Sequence, residues 1–376
     1  MSAETATLPP VAARTGFHPL EVTAVTPVAD DGSAVAVTLW VPEPLRERFA
    51  FSPGQFVTVR AEVDGESPRR TYSVCSTPEA LRREGELRVG VRAVTGGRFS
   101  SWVHQRLTPG DRLELRPPEG RFTTPVAPGR ARRYAAVAAG SGITPVLSLV
   151  AEALAVEPDS VFTVLYGNRT MRSAMFMEEL ADLKDRYGPR LQLVHFFSRE
   201  AHLIGPAGRR LDADVLDRVL TSLLPPALVD EWFLCGPYAM VTGAGQALER
   251  AGVPAASVRT ELFHAGPLTA PPADVAGDDA VAAGGTELSV RLEGRTSTVR
   301  TTPGQTILEA ALSIRPELPF SCRSGVCATC RAKVVSGTAS MRTNYTLTAQ
   351  ESAEDYILTC QAVPTSDAVS VDYDVV

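Results

Sequence analysis

Four cysteines in the C-terminal part, Cys322, Cys327, Cys330 and Cys360, constrain this chain more than any other feature. The first three are spaced C-x4-C-x2-C, and 29 residues separate Cys330 from Cys360. That is the plant-type ligand pattern of a [2Fe–2S] cluster, in which four thiolates surround two irons. A tight loop, Phe320 to Cys330, can supply three thiolates, and the fourth must return on a separate strand, Tyr356 to Cys360. The small residues Ser324, Gly325 and Ala328 let backbone N–H groups approach inorganic sulfide and stabilise its charge. A zinc site or a disulfide pair is the alternative. Zinc usually takes two short pairs of ligands, whereas this chain offers a triplet and a singleton.

The chain has 376 residues, enough for two or three domains. A 44% hydrophobic and 21% charged composition supports globular cores. A net charge of −6 gives no reason to expect a nucleic-acid partner. Lys184 and Lys333 are the only lysines, so any phosphate ligand is expected to be Arg. Met1 to Gly16 lacks an apolar core of signal-peptide length. The most apolar stretch, Tyr134 to Val156, is broken by Gly-Ser-Gly and Pro, so no membrane span is expected. Cys75 and Cys235 are too few for a disulfide framework, and a reducing cytoplasm is the expected location.

Residues 17–125 read as short strands separated by Gly, Pro and Asp: Ala34–Val41, Gln55–Val63, Thr71–Ser76, Glu86–Val94 and Arg112–Arg116. One helix, Ser100 to Leu107, interrupts them, and the pattern predicts an antiparallel barrel. Across 126–265 strands and helices alternate. Tyr134–Ala139, Val161–Gly167, Leu191–Ser198 and Glu231–Cys235 are strands, and Ala174–Arg186 is a helix. That alternation predicts an α/β domain with a parallel sheet. Residues 266–285 are rich in Ala, Pro, Gly and Asp and predict a linker. The cysteine-bearing domain fills 286–376 and opens with a hairpin at Thr286–Val299. Residues 1–16 predict a flexible start.

Gly140-Ser141-Gly142-Ile143-Thr144-Pro145 follows a strand and opens a helix. Its glycines permit a tight turn, Thr144 can act as N-cap, and Pro145 suits the first helical position. Pro145 stands where the dinucleotide fingerprint has its third Gly. The next strand ends in Asn168-Arg169, where an Arg instead of a carboxylate favours NADPH over NADH. Arg169 could equally be a solvated surface charge.

Together with these, Arg70-Thr71-Tyr72-Ser73 and Gly97-Arg98-Phe99-Ser100 resemble the flavin motifs of the ferredoxin–NADP reductase family. Gly140 to Pro145, Cys235-Gly236-Pro237 and Glu261-Leu262-Phe263 resemble its nicotinamide-domain motifs. The resemblance implies that Tyr72 packs on the flavin ring and that Arg70 pairs with the pyrophosphate of FAD. Gly97 and Ser100 would offer donors to the phosphates, with Thr71 and Phe99 in the same cofactor-binding segments. Ser73, Cys235, Glu261 and Phe263 would surround the hydride path, as the catalytic set. Gly140, Gly142, Thr144, Pro145, Asn168, Arg169, Gly236 and Pro237 would bind the nicotinamide nucleotide.

The order of barrel, nicotinamide domain, linker and ferredoxin is similar to reductase components of bacterial oxygenases. It implies a third domain of α+β, β-grasp type. Pro319 to Cys330, Thr343-Asn344-Tyr345-Thr346-Leu347 and Leu358-Thr359-Cys360-Gln361-Ala362 resemble most closely the reductase subunits of phenylacetyl-CoA epoxidases. Reductases of steroid 9α-hydroxylases share the architecture and are the alternative. A path from NADPH to FAD to [2Fe–2S] to a diiron oxygenase is the implied function, with the oxygenase subunits as partners. A redox-sensing interaction protein is the reading from a different class, and it has no need of a hydride entry. From Thr286 onward ten Asp/Glu outnumber eight Lys/Arg. The cluster adds negative charge, so an acidic ferredoxin surface and a basic partner patch are expected.

Overall fold

The computed structural model describes residues 16–200, 208–264 and 285–375. The expected flexible start and the expected linker lie outside the described residues, except Gly16 and Gly285 at their edges. The chain divides into two compact units, Pro19–Gly266 and Pro267–Val376, the first grouped apart from the extreme N-terminus.

The first unit opens with β1 (His18–Pro27), β2 (Ala34–Trp40), α1 (Glu43–Arg46), β3 (Phe56–Arg60), β4 (Arg69–Ser73), α2 (Pro78–Glu84), β5 (Glu86–Arg92), α3 (Arg98–Arg106) and β6 (Arg112–Leu115). The strands form one antiparallel sheet in the order β4-β3-β6-β1-β2-β5. A bridge between Val74 and Val89 joins the two edges, which closes the sheet as a barrel. Alternate residues, such as Val57 and Val59 or Leu87, Val89 and Val91, fill its interior, as the two-residue period of a strand requires.

Then follow β7 (Arg133–Ala139), α4 (Ile143–Val156), β8 (Val161–Asn168), α5 (Met177–Tyr187), β9 (Leu191–Phe197), α6 (Ala213–Ser222), β10 (Glu231–Pro237), α7 (Tyr238–Arg250) and β11 (Val258–His264). The sheet order is β11-β10-β7-β8-β9, with parallel neighbours. Both faces are buried. Tyr134, Ala136, Phe233 and Cys235 face the core that includes α4 and α5, whereas Ala135, Val137, Trp232 and Leu234 face α6 and α7. Central strands of such a sheet therefore read as continuous apolar runs.

Two local expectations need correction. The helix placed at Ala174–Arg186 begins at Met177, because Ala174 and Met175 are buried in the preceding loop and Phe176 takes a left-handed φ of 59°. Thr144 is not an N-cap and Pro145 is not at the first helical position. A 3-10 turn at Gly140–Gly142 leads directly into α4 at Ile143, and the Thr144 hydroxyl donates to the Ser141 carbonyl at 3.0 Å.

The second unit has β12 (Glu287–Leu292), β13 (Arg295–Arg300), α8 (Ile307–Leu312), β14 (Arg331–Ser336), β15 (Ala339–Met341), α9 (Ala349–Ala353), β16 (Tyr356–Leu358), β17 (Ala362–Pro364) and β18 (Ala368–Asp372). A mixed sheet β13-β12-β18-β14-β16 packs against α8 through Ile307, Ala310 and Ala311, the β-grasp arrangement. Capping boxes fix both helix starts, Thr306 with Glu309 and Thr348 with Glu351. The long loop between α8 and β14 carries three of the four cysteines. Among the described residues no helix is long and apolar enough to cross a membrane.

Candidate functional site

In the parallel sheet the strand order reverses between β7 and β10, and ligands bind such sheets beyond the carboxyl ends of the strands at that point. Gly140 follows β7 and Cys235-Gly236-Pro237 ends β10, with Cys235 in register with Ala138. The two motifs therefore meet at the switch point. A Cβ on Gly142 would lie 2.2 Å from the Cys235 carbonyl oxygen, so close contact with β10 requires glycine there. Gly140, at φ +57°, faces open space, the kind of cradle in which a phosphate can approach backbone N–H groups. Asn168 ends β8 with its amide beside the Tyr166 hydroxyl, and Arg169 is exposed just beyond it.

Three of the four residues expected around the hydride path, Ser73, Cys235 and Glu261, come together. Ser73, at the end of β4, donates a hydrogen bond from Oγ to Glu261 Oε2 at 3.1 Å across 188 positions of sequence. Cys235 Sγ lies 4.0 Å from the same oxygen, and Cys235 and Glu261 are partners in register on β10 and β11. Burial raises the Glu261 carboxyl from 4.5 to about 8, against the lowering effect of the Ser73 hydroxyl. Burial likewise raises the Cys235 thiol, with the Glu261 carboxylate adding to the shift. Gly236 pairs with Leu262 and Pro237 with His264, which leaves Phe263 as the extra residue of a bulge. Phe263 packs half-buried on the core beneath.

Tyr72 is half-buried on β4, its ring 5.9 Å from Phe99, which in turn lies 6.0 Å from Trp102. Burial raises its phenol, against the Arg70 charge. Arg70 is exposed and Thr71 half-buried on the same strand. Gly97 stands at the N-cap of α3 with no side-chain cap. Ser100 differs from expectation: its buried hydroxyl donates to the Gly97 carbonyl at 3.2 Å and accepts from Val94 N–H at 3.1 Å. It shapes the loop, and the first-turn N–H groups of α3 are what remains to meet an anion. An open groove lined by Gly96, Gly97, Arg98, Ser101 and Trp102 runs past them. These residues fit a flavin nucleotide.

The motif reading overlooked the joint between barrel and parallel sheet. Cys75 donates to the Arg88 carbonyl at 3.3 Å, Ser76 Oγ accepts from Arg88 N–H, and Arg88 pairs with Glu179 at 3.4 Å. From α4 the buried Ser148 hydroxyl donates to the Ser76 carbonyl at 2.7 Å. These contacts hold the strand of Ser73 against α4 and α5. Cys75 and Ser76 close the run Arg70 to Ser76 that resembles the flavin motif, and their place in that run was the available signal.

In the second unit the four thiols form two pairs, Cys322 with Cys327 and Cys330 with Cys360. Within each pair one thiol is held low by a hydrogen bond from its mate: Cys322, at about 5, and Cys360. Cys322 Sγ also accepts from the N–H groups of Ser324 and Cys327, each at 3.4 Å. Among the described residues no three His, Cys, Asp or Glu side chains converge on one metal position. A single zinc ion needs such a point, whereas in a two-iron cluster each iron takes two thiolates. The buried Ser321 hydroxyl has no protein partner, and that of Thr329 has only the Cys327 thiol beside it. Both are donors that sulfide could satisfy. The donor set fits [2Fe–2S].

Three family models match in sequence: an oxidoreductase FAD-binding domain over residues 19–124, an oxidoreductase NAD-binding domain over 136–246, and a 2Fe-2S iron-sulfur cluster binding domain over 290–365. The chain is 42% identical over 361 residues to one subunit of the 1,2-phenylacetyl-CoA epoxidase of Escherichia coli (strain K12), covering 96% of this chain and 98% of that one. It is 32% identical to the ferredoxin reductase component of 3-ketosteroid-9-alpha-monooxygenase from Rhodococcus rhodochrous, covering 94% and 96%. Among solved structures, phthalate dioxygenase reductase shares the fold, with a TM-score of 0.58 at 23% identity, covering 95% of this chain and 98% of that one.

Proposed function

The chain belongs to the family of oxygenase reductases that join FAD- and NAD-binding domains to a [2Fe–2S] domain, and we propose that it serves a phenylacetyl-CoA epoxidase of diiron type, drawing on NADPH. The flavin and the cluster supply the redox chemistry, taking two electrons as hydride and releasing them singly. The protein's part is position, potential and access.

In this reading Tyr72 and Phe99 form the aromatic floor of the flavin site. Arg70, Thr71, Gly97 and the first-turn N–H groups of α3 hold its phosphates. The turn Gly140–Gly142, with Thr144 and Pro145 behind it, receives the nicotinamide nucleotide at the switch point. Asn168 and Arg169 take its ribose end, and the absence of a carboxylate there favours NADPH. Gly236 and Pro237 line the nicotinamide side. Glu261, with its raised pKa, holds a proton near neutral pH on the carboxyl that accepts from Ser73 and Cys235 beside the hydride path. Phe263, projected by the bulge, covers that path. Cys322, Cys327, Cys330 and Cys360 would hold the [2Fe–2S] cluster. The domain limits proposed are 17–125, 126–265 and 286–376.

The observation that carries the reductase part is the meeting of Ser73, Cys235 and Glu261 from three separate strands at the switch point. The 42% identity across nearly the whole chain supports the choice of epoxidase. Under anaerobic conditions NADPH should bleach both the flavin and the cluster bands. Cys330→Ser should leave flavin bleaching intact and abolish electron delivery to the epoxidase. Bands that stay unchanged on NADPH addition sink the reductase reading; NADPH oxidation indifferent to phenylacetyl-CoA, with the epoxidase components present, sinks the choice of partner.

A further inference from the structure

The acidic total of the ferredoxin unit conceals a local reversal. From Leu318 to Gln350 there is no Asp or Glu, and there are four cations: Arg323, Arg331, Lys333 and Arg342. This stretch includes both segments that surround the cysteines. The loop Thr343–Thr346 closes on the cysteine loop: Tyr345 N–H donates to the Gly325 carbonyl at 3.2 Å, and the Thr346 hydroxyl donates to the Val326 carbonyl at 2.5 Å. Gln361 ties the two together. Its amide nitrogen donates to the Arg323 carbonyl at 2.9 Å, its side-chain oxygen accepts from Thr343 Oγ1 at 2.8 Å, and its backbone carbonyl accepts from Arg342 N–H at 2.9 Å. The same amide nitrogen is 3.8 Å from Cys360 Sγ.

One glutamine therefore holds Arg323 and Arg342 on the two flanks of the thiol site. Both arginines are exposed and neither forms an ion pair among the described contacts. Arg323 lies over the Phe320 ring at 4.6 Å, which fixes where its charge sits. Arg331, by contrast, is tied to the buried Glu351 at 3.1 Å. The segments that carry and cover the thiol loop, Leu318 to Gln350, are thus cationic and free of carboxylates, with the Arg342 guanidinium also donating to the Gly304 carbonyl, although the unit as a whole is acidic.

We propose that this rim, Arg323 and Arg342 about the Thr343–Thr346 loop, is the docking face for the oxygenase and that it takes an acidic patch on that partner. The expectation of a basic partner patch is reversed, because charge close to the contact outweighs charge beyond a Debye length of about 8 Å. The inference rests on the reductase reading, and flavin bleaching by NADPH in the unaltered protein tests that reading separately.

The test uses the full holoprotein, R323E/R342E and, in case reversal hinders cluster assembly, R323Q/R342Q, each checked for iron content and visible spectrum. Ferricyanide, a trianion, and hexaammineruthenium(III), a trication, each accept one electron from the reduced cluster. Reversal should slow ferricyanide and speed the ruthenium complex, by about fivefold each at low salt. A change in driving force would move both acceptors the same way, so that outcome, or no change, overturns the proposal. Calorimetric affinity for the epoxidase components should fall about tenfold on reversal and weaken with salt in the parent. Unaltered affinity overturns it, as does slower NADPH reduction of the cluster with unaltered affinity, which would assign the rim to the incoming electron.

Discussion

Glu261 is the buried titratable residue on which Ser73 and Cys235 converge. Its folded pKa of about 8 lies above the ordinary 4.5, so between those values the native chain keeps a proton that the unfolded chain has lost. Stability from this residue is therefore complete below pH 4.5 and declines as pH rises to about 8, after which it is constant. Glu261→Gln cannot ionise. Its melting temperature should gain on that of the parent from pH 5 to about pH 8 and keep that lead above it; an offset that stays constant from pH 5 upward would contradict the raised carboxyl. Ser73→Ala removes the donor that lowers Glu261, so the same profile should shift to higher pH. Four cysteines at fixed spacing could be read directly from the sequence. The meeting of Ser73 with Glu261 could not, because no local pattern links positions 188 apart, and it came only through resemblance to a family. The cationic rim was visible in the sequence as a carboxylate-free run, but a total over the whole domain averaged it away.

Strands and helices were legible wherever their period was uninterrupted, as in β2, β5 and β7. Boundaries slipped where tertiary contacts overrode local preference. Phe176 ends a buried loop in a left-handed conformation that no propensity favours, and α5 begins only after it. The ties between elements were invisible. Glu157, fully buried just after α4, accepts hydrogen bonds from Tyr134 Oη at 3.0 Å, Ser160 Oγ at 2.7 Å and Ala127 N–H at 3.2 Å, with Arg130 Nε at 3.8 Å. It joins the start of β7, the end of α4 and the segment that leads out of the barrel. Glu157→Ala would strand those donors and should cost about 3 kcal/mol. Tyr134→Phe removes one donor and should cost about 1 kcal/mol. In a unit of this size each kcal/mol corresponds to roughly 2–4 °C of melting temperature, which calorimetry resolves. Equal effects for the two variants would show that Glu157 is no hub.

The two units keep separate hydrophobic cores. Barrel and parallel sheet share one, in which Cys75 and Phe122 pack with Ile143, Phe233 and Cys235. The cores built on Leu288, Val290 and Ile307 and on Leu308, Tyr356 and Leu358 draw only on the second unit. That second unit is small, and a small core leaves a thin margin of stability. Two of its four cysteines, Cys330 and Cys360, lie inside the core with Leu308 and Leu358. A metal bound by the folded form alone adds its binding free energy to folding, so the cluster should stabilise this unit and no other. Calorimetry of the holoprotein should then show two transitions. Stripping the iron with a chelator should lower the one from Pro267–Val376 by about 10 °C or more, on the order expected when tight metal binding is lost, and leave the Pro19–Gly266 transition in place. Added FAD should raise only the latter. A single transition that moves with either cofactor would mean that the two units unfold as one cooperative body.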